Sequence, residues 1–186
     1  TALLHTGFDS TPGTLESRLV ARGYRMLSEY ASQTGIPVEH TGAMLVAWTE
    51  EEADALPRLK EKAEANGYHA CTIVTSDEVY RRVPDLGPGA LGGLTVPGES
   101  IICTWTTNLA LATDALARGI ELLRGTRVTS VAVGPDVTTL HTTAGDLQGR
   151  WIINAAGLGA DHLDQEFGYR RFTVIPRRGE LLVFDK

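Results

Sequence analysis

The stretch WIINAAGLGAD, residues 151–161, decides how this chain is read. Apolar and bulky positions run into Asn154, and then come Ala155, Ala156 and Gly157, where almost nothing projects from the backbone. Taken with the residues before it, LQGRWIINAAG is predicted to be a buried strand. A strand that ends in small residues lets something large and rigid approach its backbone. Open α/β sheets bind ligands at the carboxyl ends of their strands. A flat adenosine or a pyrophosphate suits such an edge. Tight helix–sheet packing with no ligand suits it equally, and this stretch alone leaves both readings open.

Upstream of it, IELLRG, TRVTSVAVG and VTTLHTT read as strands at short spacing. GPD and AGD separate the later ones as hairpin turns, so a β-meander is predicted. Downstream, a short helix is predicted over 159–165, and YRRFTVIPRRGELLVFDK returns to strand. At the other end, TPGTLESRLVARGYRMLSEYASQTGIP reads as a helix with a start signal at Thr11 and Pro12 and a stop at Gly35 and Pro37. Residues 38–48 read as one strand. Thr49 and Glu52 form a capping box for a following helix that Pro57 is expected to kink or divide. ACTIVT is a short strand, Thr75 and Glu78 cap a short helix closed by Pro84, and ALGGLTV is a strand within a Gly/Pro-rich loop. An alanine-rich helix is predicted to start near Thr106 or Thr107 and to end at Gly119. The expected fold class is α/β, with α+β character in an insert.

Composition narrows the functional classes. The chain has 186 residues, 42% of them hydrophobic, and a net charge of −6 from 17 basic and 23 acidic residues. No basic stripe is evident in the sequence, which argues against nucleic acid as a partner. No apolar run approaches the roughly 20 residues that cross a bilayer. Cys71 and Cys103 lack CxxC spacing and read as reduced structural thiols of a cytosolic protein. The five histidines form no zinc pattern, so no metal site is expected. The opening on Thr1 and the close on ELLVFDK read as a fragment of a longer chain.

Three further stretches carry polar chemistry. In LLHTGFDSTPGTLESRLV, His5 precedes Gly7 in a loop that leads to a helix N-terminus, where free amides meet a ring that titrates near neutral pH. In IPRRGELLVF, Arg177 and Arg178 precede a glycine, and a guanidinium there is suited to gripping a carboxylate or phosphate. In IICTWTTNLALATDAL, the threonine-rich start is either an anion site or simply an N-cap. Surface histidine and surface arginines are the competing readings of the first two.

Taken in order, HTGFDSTPGTLESRLVARGY, IICTWTTNLALATDAL, TRVTSVAV, WIINAAGLGAD and PRRGELLVF resemble the FAD-dependent oxidoreductases of the D-amino-acid-oxidase superfamily, within it the glycerol-3-phosphate dehydrogenase and L-2-hydroxyglutarate dehydrogenase branch. The resemblance implies the middle part of an FAD-binding domain with its β-meander, residues 1–35 and 103–169, and a partial mixed-sheet substrate-binding domain, residues 36–102 and 170–186. It also implies that the N-terminal GxGxxG unit and the C-terminal segment lie outside this sequence. FAD is then expected in the full-length protein and not in the fragment alone, which is expected to be inactive.

By the same resemblance, the Val128 backbone would meet the adenine, and Ala155, Ala156 and Gly157 would pass the adenosine and phosphates. His5, Thr6 and Gly7 would run beside the flavin ring. His5 is the candidate base and Arg178 the candidate holder of the substrate anion. The implied activity is oxidation of a small anionic secondary alcohol of the glycerol 3-phosphate type. An L-2-hydroxy-acid dehydrogenase or oxidase, an amino-acid or amine oxidase, and a non-catalytic α/β binding module are the alternatives. A quinone, another flavoprotein or oxygen would accept the electrons. A cytoplasmic location is implied, with peripheral association at the inner face of the membrane left open.

Overall fold

The computed structural model describes residues 2–180. They divide into two compact units, one running to Glu121 and the other from Leu122.

The first unit carries two small sheets and four helices. Strand β1 (Leu3–Leu4) leads into a loop and then into helix α1 (Leu15–Thr34). The helix starts three residues later than the sequence suggests. Thr11 closes a turn with Thr14, and it is the Thr14 side chain that accepts from the Ser17 amide as N-cap. Gly35 ends the helix as expected.

Residues 38–48 form two strands, where the sequence predicts one. They are β2 (Val38–Glu39) and β3 (Ala43–Ala47), and they belong to different sheets. The break falls at Gly42, whose φ of 67° lies in the region that favours glycine. The chain turns there because its amide donates to the Glu99 carbonyl oxygen instead of a neighbouring strand.

Helix α2 (Glu50–Ala65) has the predicted capping box, with Thr49 and Glu52 satisfying each other's backbone amides. Pro57 does not divide it in two; the helix is continuous. One missing amide is outweighed here by the cap and by Leu56 and Ala63, both buried on the core side. Strand β4 (Thr72–Thr75), helix α3 (Ser76–Arg82) and strand β5 (Gly92–Val96) come next, and then β6 (Ser100–Ile102) and helix α4 (Thr104–Ala117). The cap of α4 is the Cys103 thiol, which takes the Thr106 amide. The sequence suggests a threonine in that place. The thiol is held below its usual pKa by the hydroxyl and amide of Thr106.

The sheet order β3-β5-β4 places β5 at the centre, with every residue of that strand buried. Leu94 of β5 sits opposite Leu45 and Ile73 and joins Phe8, Ala47, Leu56, Ala63, Cys71 and Val96 in one core. A Cβ at Gly93 would lie 2.6 Å from the Leu45 carbonyl oxygen, so only glycine allows β3 and β5 to close at that point. The second sheet, β1-β6-β2, covers a smaller core of Leu4, Ala31, Ile36 and Ile102 against α1.

The second unit opens with the predicted meander: β7 (Val128–Val133), β8 (Thr138–Thr142) and β9 (Gly145–Gly149), paired antiparallel in order. IELLRG, by contrast, forms no strand. Neither does Trp151–Ala156, the stretch predicted to be a buried strand: Trp151 is 89% and Ile153 88% exposed. A strand exists only through its ladder, and among the described residues none pairs with this one. A 3₁₀ turn (Gly157–Gly159) leads into helix α5 (Ala160–Glu166), close to its predicted span. Residues 169–180 carry no strand, and the rest of the predicted final strand, 181–186, lies outside the described residues. Two buried carboxylates anchor the backbone beyond α5. Asp164 takes the backbone amide, Nε and Nη2 of Arg171, and Asp161 takes the Val174 amide. Both acids are held below the usual carboxylate range, Asp164 chiefly by its hydrogen bonds with Arg171 and Asp161 chiefly by the Val174 amide.

Candidate active site

The sequence of the first loop explains how its histidine is placed. Strand β1 pairs antiparallel with β6 so that Leu4 lies opposite Ser100. One residue further along each strand, the same register brings His5 to Glu99. His5 Nδ1 lies 3.0 and 2.9 Å from the two carboxylate oxygens of Glu99. On the other side of the ring, Nε2 lies 3.1 Å from Asp9 Oδ1. The ring also packs its edge against Phe8, with centroids 5.8 Å apart and planes at 81°.

Glu99 is 4% exposed. A buried carboxylate needs donors, and Thr6 supplies two: its amide at 2.8 Å and its hydroxyl at 2.6 Å, both to Oε1. The turn that carries Glu99 is held on both sides. The Tyr24 hydroxyl donates to the Gly98 carbonyl oxygen at 2.9 Å, and the Gly98 amide donates to the Tyr68 hydroxyl at 2.6 Å. The loop beyond His5 is held by Asn66, whose side-chain amide lies 3.2, 3.2 and 2.7 Å from the carbonyl oxygens of Gly7, Phe8 and Ser10.

Burial favours the neutral form of the His5 imidazole, but the hydrogen bond and charge of Glu99, joined by Asp9, outweigh it. The pKa is raised above its ordinary 6.5. The stability this brings is fully present below the unfolded value and is lost as pH rises through the folded one. Urea unfolding of the first unit, monitored by circular dichroism, is therefore expected to show a midpoint that falls as pH climbs above about 6.5. His5→Gln, which cannot titrate, should flatten that dependence.

The other predicted residues lie elsewhere in the chain. His5, Thr6 and Gly7 belong to the first unit, whereas Val128, Ala155, Ala156, Gly157 and Arg178 belong to the second. Val128 opens β7 opposite Thr142, just before a register shift at the next residue pair. Ala155, Ala156 and Gly157 are exposed, and a Cβ built on Gly157 would meet nothing within 4 Å. Asn154 shapes this segment by taking the Ala156 amide and donating to the Ala160 carbonyl oxygen. Arg178 is 88% exposed along its side chain and faces Glu180, Nε to Oε1 at 3.4 Å.

Sequence reasoning missed Glu99, Asp9 and Asn66. An acid inside a tight turn between two apolar runs, in VPGESII, was the one available signal. Its link to His5 spans 94 residues and exists only through strand register.

The chain belongs to a family of flavoenzymes: the profile described as DAO, FAD dependent oxidoreductase, matches residues 1–186. Among its relatives, a glycerol 3-phosphate dehydrogenase of Caloramator mitchellensis is 27% identical over 185 residues, which cover 100% of this chain and 38% of the relative. The L-2-hydroxyglutarate dehydrogenase of Escherichia coli K12 is 29% identical over 180 residues, 96% of this chain and 42% of the relative. The chain thus spans about two fifths of the length of these relatives. Among solved structures, the dithionite-reduced L-α-glycerophosphate oxidase of Mycoplasma pneumoniae with FAD bound superposes with a TM-score of 0.82 at 23% identity, over 88% of this chain and 44% of that one. At that identity the superposition establishes the fold alone.

Proposed function

We propose that this chain supplies the proton-accepting side of an FAD-dependent dehydrogenase that oxidises a small anionic secondary alcohol of the glycerol 3-phosphate type. The observation that carries the reading is the His5 ring, held at one nitrogen by a buried carboxylate and reached at the other, among the described residues, only by an exposed one.

In this reading residues 1–35 and 103–169 serve the FAD-binding domain, and 36–102 with 170–186 serve the substrate domain. FAD in the full-length protein is part of this reading. The exposed, nearly side-chain-free backbone of 155–157 would pass the adenosine and phosphates, the Val128 backbone would meet the adenine, and Thr6 and Gly7 would border the flavin ring. When bound, FAD supplies the acceptor for the hydride that leaves the alcohol carbon. The chain's own residues do the rest. His5 Nε2 takes the hydroxyl proton, and the alcohol becomes a ketone as two electrons and the carbon-bound hydrogen depart together. Arg178 holds the phosphate or carboxylate of the substrate by charge-assisted hydrogen bonds. The base must be neutral to act, so its raised pKa should move the acid limb of activity upward.

A glycerol 3-phosphate dehydrogenase among the relatives supports glycerol 3-phosphate, and an L-2-hydroxydicarboxylate is the second reading because L-2-hydroxyglutarate dehydrogenases match with similar identity. The test is anaerobic mixing of the full-length, FAD-loaded enzyme with glycerol 3-phosphate, L-2-hydroxyglutarate and an amino acid. Bleaching of the flavin absorbance by the first is expected. Bleaching by the amino acid alone would assign the chain to the amine-oxidising branch, and a full-length protein that takes up no FAD would make it a binding module. A quinone or a second flavoprotein as electron acceptor belongs to the same proposal, as does a cytoplasmic position with docking at the inner membrane face. Among the described residues no helix is long and apolar enough to cross a membrane.

A further inference from the structure

We propose that Glu99 is the positioning residue of His5: it keeps a proton on Nδ1 and leaves Nε2 as the nitrogen that meets the substrate hydroxyl. The assignment rests on His5 being the base of the reaction proposed above.

The two carboxylates at the ring are not equivalent. The Glu99 side chain is 5% exposed, and that of Asp9 is 50% exposed. Oε1 of Glu99 already has both Thr6 donors, but Oε2 has His5 Nδ1 alone among the described residues. When the imidazolium loses a proton, one carboxylate loses its donor. If the proton left Nδ1, Oε2 would be stranded in a buried site without a partner, which is strongly unfavourable. If it leaves Nε2, Asp9 loses one contact and turns to water at little expense. The neutral ring therefore keeps Nδ1–H, and its lone pair points along the Nε2 direction now occupied by Asp9 Oδ1 at 3.1 Å. A substrate hydroxyl that reaches the base takes the place of that oxygen.

The surroundings fix Glu99 in this role. Its carbonyl oxygen accepts the Gly42 amide, and the tyrosine pair at Gly98 clamps the turn. Tyr68 and Cys71 are further titratable groups that feel its charge. Burial raises the pKa of both, so neither carries charge near neutrality, and among the described residues Glu99 and Asp9 are the charged groups that act on the ring. Glu99 is the chemical counterpart of the buried acid that orients the histidine of a hydrolytic triad. Here it serves an alcohol oxidation.

The decisive experiment is a nitrogen-15 NMR titration of the imidazoles in this chain, with His5 assigned by His5→Gln. Above the titration midpoint, the wild-type ring should carry its proton on Nδ1. Glu99→Gln should abolish that preference and lower the midpoint. Asp9→Asn should lower the midpoint and keep the Nδ1–H form. A wild-type ring protonated on Nε2, or an Nδ1–H form that survives Glu99→Gln, overturns the proposal. If Glu99→Gln does not fold, Asp9→Asn decides: a switch to Nε2–H overturns the proposal and retention of Nδ1–H supports it. In the FAD-loaded enzyme, Glu99→Gln should lower kcat/KM about 10²-fold and move the acid limb of the pH profile downward, and Glu99→Asp should restore part of both. A turnover indifferent to His5→Ala would instead remove the base from the reaction and leave the NMR result standing, so the two failures are told apart.

Discussion

In the FAD-loaded enzyme, His5→Ala is expected to lower turnover by about 10²–10⁴-fold, the range that a positioned general base contributes. The effect should fall on kcat and kcat/KM together, because the histidine meets the substrate hydroxyl as its proton departs. The residual activity should lose the acid limb expected of the wild type, since the group whose pKa Glu99 and Asp9 raise is gone. Steady-state kinetics over a pH range of roughly 5–9, spanning the histidine titration, measures both. Unchanged turnover, or an unaltered pH profile, removes His5 from the role.

The largest effect on stability is expected at the centre of the first unit. Leu94 is 0% exposed, lies on the middle strand of its sheet, and touches a core drawn from both sides of β5. Leu94→Ala removes three heavy atoms from a packed site that α2, β3 and β4 cannot readily collapse to fill. A loss of about 2–5 kcal/mol is expected, a large part of the roughly 5–15 kcal/mol that holds an ordinary domain folded. The thermal midpoint of the first unit should drop on the order of 10 °C. A loss below about 1 kcal/mol would mean that β5 is not the core of the unit.

Much of the local structure was legible in the sequence because local rules decided it. Thr49 and Glu52 announce a helix start, Gly35 a stop, and the GPD and AGD turns a meander, since each depends on residues a few positions apart. Several of the misreadings involve partners that sequence does not carry. Trp151–Ala156 has the composition of a buried strand and no neighbour among the described residues to make it one. Residues 38–48 look continuous until Gly42 gives its amide to the distant Glu99. Cys103 caps α4 although thiols are seldom read as caps. The same limit applies to the site. His5 was visible as a titratable ring beside a glycine, but the acid that governs it stood 94 residues away, across a ladder only two residues long.

The way Asn66 grips the loop beyond His5 has a consequence for local opening. One side-chain amide at the end of α2 reaches three carbonyl groups of that loop, at Gly7, Phe8 and Ser10, while Phe8 itself is plugged into the main core. The histidine loop is therefore no free flap that breathes by itself. It shares the protection of the helix and sheet beneath it, so amide exchange at Thr6 and its neighbours tracks the cooperative unfolding of that whole body. A substitution that loosens the last turn of α2 would be felt at the ring, far along the sequence from where it was made.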